Sequence, residues 1–233
     1  MEKCLLSIDW DYFIKTQKQN WGSHLESKKT AVDLWYKLYF QVNNRGRSIQ
    51  ELFELSKDTN VFWDKMGAIF QFKQNIPTYV SDSHALSYRI AKDKGLNVVY
   101  LFDAHADLGY GGLSSLNFEV NCANWLGKLL KEGLVKEANI VYSPFTLERP
   151  EYFADINKFY NVRYLSPTEL EPVIDVEAVH ICRSGAWTPP WYDDQFVEFV
   201  KGSGLLYQVI NCPPRKWNPK SLSFATQIDY LLA

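Results

Sequence analysis

Short apolar runs separated by amphipathic stretches organise this chain. Cys4-Leu5-Leu6-Ser7-Ile8, Thr78-Tyr79-Val80, Val98-Val99-Tyr100-Leu101-Phe102, Asn139-Ile140-Val141-Tyr142, Val162-Arg163-Tyr164-Leu165 and Ala178-Val179-His180-Ile181-Cys182 read as strands. Runs that are apolar at nearly every position belong to strands buried on both faces, as in parallel sheets. Between them the apolar positions recur at helical spacing. A helix is predicted over 84–94, with N-cap choices in Ser81-Asp82-Ser83 and a stop at Gly95. Others are predicted over 122–131, 148–159 and 190–201, the last with Asp193 and Asp194 placed to complement its dipole. Asn121 reads as a cap.

The stretch 14–78 reads as mostly helical, with no alternating strand pattern. Helices are predicted over 30–40, from Ser48 with Glu51 as capping-box partner, and over 61–72. His24 falls in a polar stretch and reads as an exposed loop histidine. The tail after Leu205, with Pro213-Pro214 and Pro219, is expected to wrap the surface. No change of composition marks a linker. The expected architecture is one α/β domain over 1–233, a three-layer αβα sandwich with a mostly parallel sheet. The helical insertion over 14–78 would serve it as a lid or a recognition layer.

Composition changes this picture little. The chain has 233 residues, 46% hydrophobic and 22% charged, enough for a full core. A net charge of −2 with no basic run gives no sign of nucleic acid as the main partner, and none is expected. No eighteen-residue apolar window is present, so no membrane span is expected. Met1-Glu2-Lys3 runs into a strand-like segment rather than a leader, and the four cysteines lack paired spacing. Both features point to reduced thiols and a cytoplasmic location.

The chemistry concentrates where strands end. Asp103, His105 and Asp107 follow the most apolar run at every second position, and in extended chain they would share a face. Asp9 and Asp11 follow the first strand two apart, a spacing that suits an Asx turn or a metal-binding pair. His84 opens a helix just past a strand. In parallel sheets, sites form outside the carboxyl ends of the strands. Four carboxylates and two imidazoles brought together there need counter-charge. Two divalent cations would supply it, and this mixed donor set suits manganese, with zinc or iron as alternatives. A cation pair sharing a carboxylate would activate a water for hydrolysis near neutral pH. The loop Arg183-Ser184-Gly185-Ala186-Trp187 at another strand end suits substrate contact, through Arg183, Ser184 and Trp187. His180 reads either as a satisfied core histidine or as a general acid.

Asp103-Ala-His-Ala-Asp107 resembles the Asp-x-His-x-Asp signature of the arginase/ureohydrolase and deacetylase superfamily. His84-Ala-Leu is similar to its upstream histidine motif, and Ser7-Ile-Asp9-Trp-Asp11 to its Ser-Phe-Asp-x-Asp segment. The resemblance is closest to a small arginase-like family that includes peptide arginases, which convert arginine within peptides to ornithine and urea. It implies that Asp103 and Asp9 bridge two Mn2+ ions, that His84 and Asp107 complete one site, and that His105 and Asp11 complete the other. Asp107 and His180 are the candidate catalytic residues, the latter as a general acid for the leaving amine. A carboxylate would hold the guanidinium, with Glu119, Asp193 and Asp194 as candidates. The chain departs from the superfamily's order, since its Asp-x-Asp segment comes first. No histidine occurs between Leu108 and Leu130 to act as the family's proton shuttle. These departures argue against free arginine and leave a peptide or small molecule bearing a guanidino or amide group. The competing expectations are a single-zinc deacylase on the same fold and a non-catalytic, metal-containing peptide-binding module.

Overall fold

In a computed structural model describing residues 2–16 and 31–232, the first apolar run becomes β1 (Cys4–Asp9), buried at every position. β2 (Ile14–Thr16), α1 (Ala31–Asn43), β3 (Phe53–Leu55), α2 (Phe62–Ile69) and β4 (Phe70–Phe72) follow. Then come β5 (Thr78–Ser81), α3 (Leu86–Lys94), β6 (Val98–Asp103), α4 (Trp125–Lys131), β7 (Glu137–Tyr142), α5 (Ala154–Asn157) and β8 (Val162–Leu165). β9 (Ile174–Cys182), α6 (Asp193–Gly202), β10 (Tyr207–Ile210) and α7 (Phe224–Leu232) complete the described chain.

The sheet runs β10-β5-β9-β1-β6-β7-β8, with β4 also paired to β9, and every pairing in it is parallel. Helices cover both faces, as the alternation of side chains along each strand requires. Leu6 and Ile8 of β1 join Val179, Ile181 and Phe102 in one core, with Trp35 of α1, Phe62 and Met66 of α2 and Phe196 and Phe199 of α6. Leu5 joins Val99, Leu101, Ala138 and Ala178 in the other, with Ile90 of α3 and Trp125, Leu126 and Leu129 of α4. The expected three-layer αβα sandwich is therefore present. Among the described residues no helix is long and apolar enough to cross a membrane.

The expectation for 14–78 needs correction. α1 and α2 are helical, but β2 and β3 form an antiparallel pair and β4 joins the main sheet. Ser48 makes no side-chain cap, and its helix shrinks to a single 3-10 turn over Ile49–Leu52. The aromatic residues decide this: Phe53 is buried against Trp35 and Trp191, and Phe70 against Tyr100 and Phe102. Tertiary packing of aromatics outweighs weak local helix preference. The tail is also more ordered than expected, supplying the edge strand β10 and α7. The helix expected over 148–159 contracts to a 3-10 turn over Pro150–Phe153 and the short α5, which frees Glu148 for another use. His24 lies outside the described residues.

The chain switches direction across the sheet at β1. β9 and β5 lie on one side of it, and β6, β7 and β8 on the other. The carboxyl ends of β1, β6 and β9 are therefore adjacent at the position where parallel sheets form their crevice.

Candidate metal centre

Two buried clusters meet at that point. His84 Nδ1 lies 3.1 Å from Asp9 Oδ2, 3.0 Å from Asp103 Oδ2 and 2.9 Å from Asp107 Oδ2. His105 Nδ1 lies 2.9 Å from Asp11 Oδ2 and 3.5 Å from Asp103 Oδ1. Asp103 thus faces both clusters, one oxygen to each. The ligand atoms of Asp9, His84 and Asp103 lie within 4.8 Å of one another, as do those of Asp11, Asp103 and His105. All six expected ligands converge.

The route to this convergence differs from the extended-chain expectation. β6 stops at Asp103, whose Oδ1 accepts from the His105 amide at 2.7 Å. Asp9 repeats the device, its Oδ1 accepting from the Asp11 amide at 3.0 Å. Each aspartate turns the chain with one oxygen and offers the other to His84, an Asx turn and a ligand at once. Asp107 reaches the cluster from left-handed backbone, φ 52°. Ser184, at φ 49°, donates its hydroxyl to Asp9 Oδ2. Strained non-glycine residues that both aim at one site fit the pattern by which folds store strain at functional positions. His84 sits in the turn before α3, two residues ahead of its first helical residue.

Electrostatics make the cluster costly without a cation. Burial and then Asp11 raise the Asp9 carboxyl to about 6. Burial, followed by Asp11, Asp107 and Asp9, pushes Asp103 well above the usual range. Burial also lifts Asp11, but His105 outweighs it and leaves that carboxyl low. Burial opposes charge on both imidazoles, yet the carboxylates around His84 and His105 raise them well above normal. His84 Nδ1 and Asp103 Oδ2 are fully buried and make no hydrogen bond. Two orphaned donor atoms facing one another among carboxylates fit a cation between them. The residues present therefore suit a pair of divalent metals.

Tyr110, Cys122, Ala123, Ser184 and Trp187 complete the lining of a cleft enclosing about 20 Å³ at the cluster. That volume suits ions and a water. His105 is the most open ligand, and the Trp187 ring lies 5.0 Å from it. Sequence reasoning missed two supports. Trp125 donates from Nε1 to Asp107 Oδ2 at 2.5 Å. Glu148 accepts from the Ala106 amide at 2.8 Å and from the Tyr110 hydroxyl. Burial raises the Glu148 carboxyl, while His105 works against that rise. Neither residue has a local sequence signal, since each acts across many residues of chain. Trp125→Phe keeps the ring's packing and removes the donor. For a divalent cation held at this cluster, the substitution is expected to weaken binding about 10- to 100-fold, measured by chelator competition.

Other expected site residues are placed elsewhere. His180 is fully buried, with Ser87 Oγ 2.6 Å from Nδ1 and Ser81 Oγ 2.8 Å from Nε2. It does not line the cleft, so the general-acid expectation is corrected: β9 carries it inside the sheet layer, two residues before the strand ends. Arg183 binds Asp82, Asp193 and the Pro213 carbonyl. Asp193 is also taken by Arg215, which ties down the Gly185 and Thr188 carbonyls. Arg183 and Asp193 therefore brace the loop that presents Ser184 and Trp187, and neither lines the cleft. Glu119 is exposed, and Asp194 borders a separate groove with Trp63 and Glu198. Asn121 does not cap α4, which starts at Trp125 after Asn124; its Oδ1 accepts from the Ala123 amide in an Asx-type turn before the helix.

Comparison with protein-family models, with curated proteins and with solved structures returns no match in any of the three.

Proposed function

We propose that this chain is a binuclear metallohydrolase that cleaves a C–N bond, with a guanidino group, carried on a peptide or small molecule, as substrate. The observation that carries this reading is Asp103, whose two oxygens face two separate histidine-containing clusters. Two Mn2+ are the proposed cofactors, and bound there they would supply Lewis acidity and an activated water. Asp9, His84, Asp103 and Asp107 would hold one, and Asp11, His105 and Asp103 the other. Ser184 and Trp125 fix the Asp9 and Asp107 carboxylates through hydrogen bonds. Trp187, beside His105 at the cleft, offers a ring face of the kind that attracts a planar cation. The four cysteines form no disulfide, which fits the proposed cytoplasmic setting.

The manganese-loaded protein is expected to release urea from some members of a panel of arginine-containing peptides, followed by colorimetric urea assay. Silence across the panel with two equivalents of manganese bound would contradict hydrolysis. One equivalent of zinc with acetate release from acetylated peptides would replace it with the deacylase reading.

A further inference from the structure

A row of buried hydroxyls and a histidine lies between β1, β5, β9 and α3. Ser7 lies beside His180 in the β1–β9 register, and both face the α3 side of the sheet. Ser87 reaches down from α3 between them. His84 Nε2 lies 2.7 Å from Ser7 Oγ, Ser7 Oγ 2.8 Å from Ser87 Oγ, and Ser87 Oγ 2.6 Å from His180 Nδ1. His180 Nε2 lies 2.8 Å from Ser81 Oγ, which donates to the Ser83 carbonyl at 2.8 Å. Ser7, Ser87 and His180 are fully buried. Such a row in an apolar core is costly unless every member is satisfied.

The proton positions follow from the far end. A carbonyl only accepts, so Ser81 spends its one proton on Ser83. Ser81 must then accept from His180, which places the His180 proton on Nε2. His180 is fully buried and its two ring nitrogens meet the Ser81 and Ser87 hydroxyls rather than a carboxylate, so the ring is neutral and its Nδ1 carries a lone pair. Ser87 therefore donates to His180 and accepts from Ser7, and Ser7 accepts from His84 Nε2–H. With its Nε2 proton so engaged, a neutral His84 has its lone pair on Nδ1, the atom that faces Asp9, Asp103 and Asp107.

We infer that the Ser7–Ser87–His180–Ser81 row sets the tautomer of His84, making His180 a positioning residue that presents the Nδ1 lone pair to a cation. This rests on the metal reading above. Histidine ligands commonly take their orientation from the partner of the other ring nitrogen. Here that partner is relayed through two hydroxyls to a second histidine. The row touches only the His84 cluster, so its effect must be confined to one of the two metal positions.

Two measurements test this. In metal-free wild-type protein, nitrogen-15 NMR of the imidazoles is expected to show His180 neutral, protonated at Nε2 and bare at Nδ1. The opposite tautomer would overturn the direction of the row, whatever the metal content. In stepwise manganese titration, Ser87→Ala and His180→Phe are expected to weaken one equivalent about 10- to 100-fold and leave the other unchanged. Unchanged affinity at both positions, or equal weakening of both, would overturn the positioning role. A wild-type protein that takes up no manganese would defeat the hydrolase reading alone, because the NMR result still decides the direction of the row.

Discussion

Asp103→Asn is expected to take bound manganese from two equivalents to one or none, with any remaining affinity at least about 100-fold lower than wild type, since a bridging ligand exceeds the 10- to 100-fold typical of outer-shell partners. The reason is geometric, because among the described residues its carboxylate is the one group facing both histidines. The effect on stability should change sign with metal. In the metal-free protein Asp103 is buried among Asp9, Asp11 and Asp107, which disfavour its charge. A neutral amide of the same shape relieves that repulsion, so the metal-free variant should melt no lower than metal-free wild type. Manganese at 100 times its dissociation constant adds about 2.7 kcal/mol per site to the native state. In a domain of this size that corresponds to roughly 5–11 °C. With two sites filled, wild type should show about twice this rise in melting temperature and Asp103→Asn should lose most of it, as scanning calorimetry with and without manganese would reveal. A variant that keeps both equivalents would refute the bridging assignment.

Gly127→Ala is the second large expectation, and it acts from outside the ligand set. α4 passes so close to the site loop that a Cβ at Gly127 would sit 2.2 Å from the Leu108 carbonyl oxygen and 2.7 Å from Leu116. Leu116 can shift, but the Leu108 backbone cannot move alone. It directly follows Asp107, whose carbonyl accepts from the Leu126 and Gly127 amides and whose left-handed backbone aims its carboxylate at His84. Overpacking of this kind costs about 1–3 kcal/mol or more. The expected fall in melting temperature is about 2–12 °C at the 2–4 °C per kcal/mol usual for this size. The same displacement should weaken manganese at the His84 position. An alanine variant with wild-type melting and affinity would show that α4 does not hold Asp107 in place.

The sequence carried much of this account. An apolar run ending in Asp103, His105 and Asp107 marked a parallel strand and a polar strand end, and both are found. Asp9, Asp11 and His84 could be added because each also follows a strand. What stayed hidden was set by chain geometry at a distance. The turns at Asp9 and Asp103 replaced simple alternation, because each aspartate spends one oxygen on the amide two residues ahead. Trp125 and Glu148 reach the site only through the packing of α4 and of the segment after β7. Ser7, read only as part of the Ser-x-Asp-x-Asp segment, was also a local clue to the buried row, a hydroxyl in an otherwise apolar buried strand. His180 was a polar residue in another such strand. Its position suggested chemistry, whereas the sheet register gave it a partner in Ser7 and a place behind the ligands.

Anomalous scattering from crystals of manganese-loaded protein tests the central claim most directly. Two peaks roughly 3.5–4 Å apart are expected on either side of Asp103, one among Asp9, His84 and Asp107 and the other between Asp11 and His105. Crystals grown in excess manganese with no peak beside Asp103, or with a single peak bound only by surface carboxylates, would contradict it.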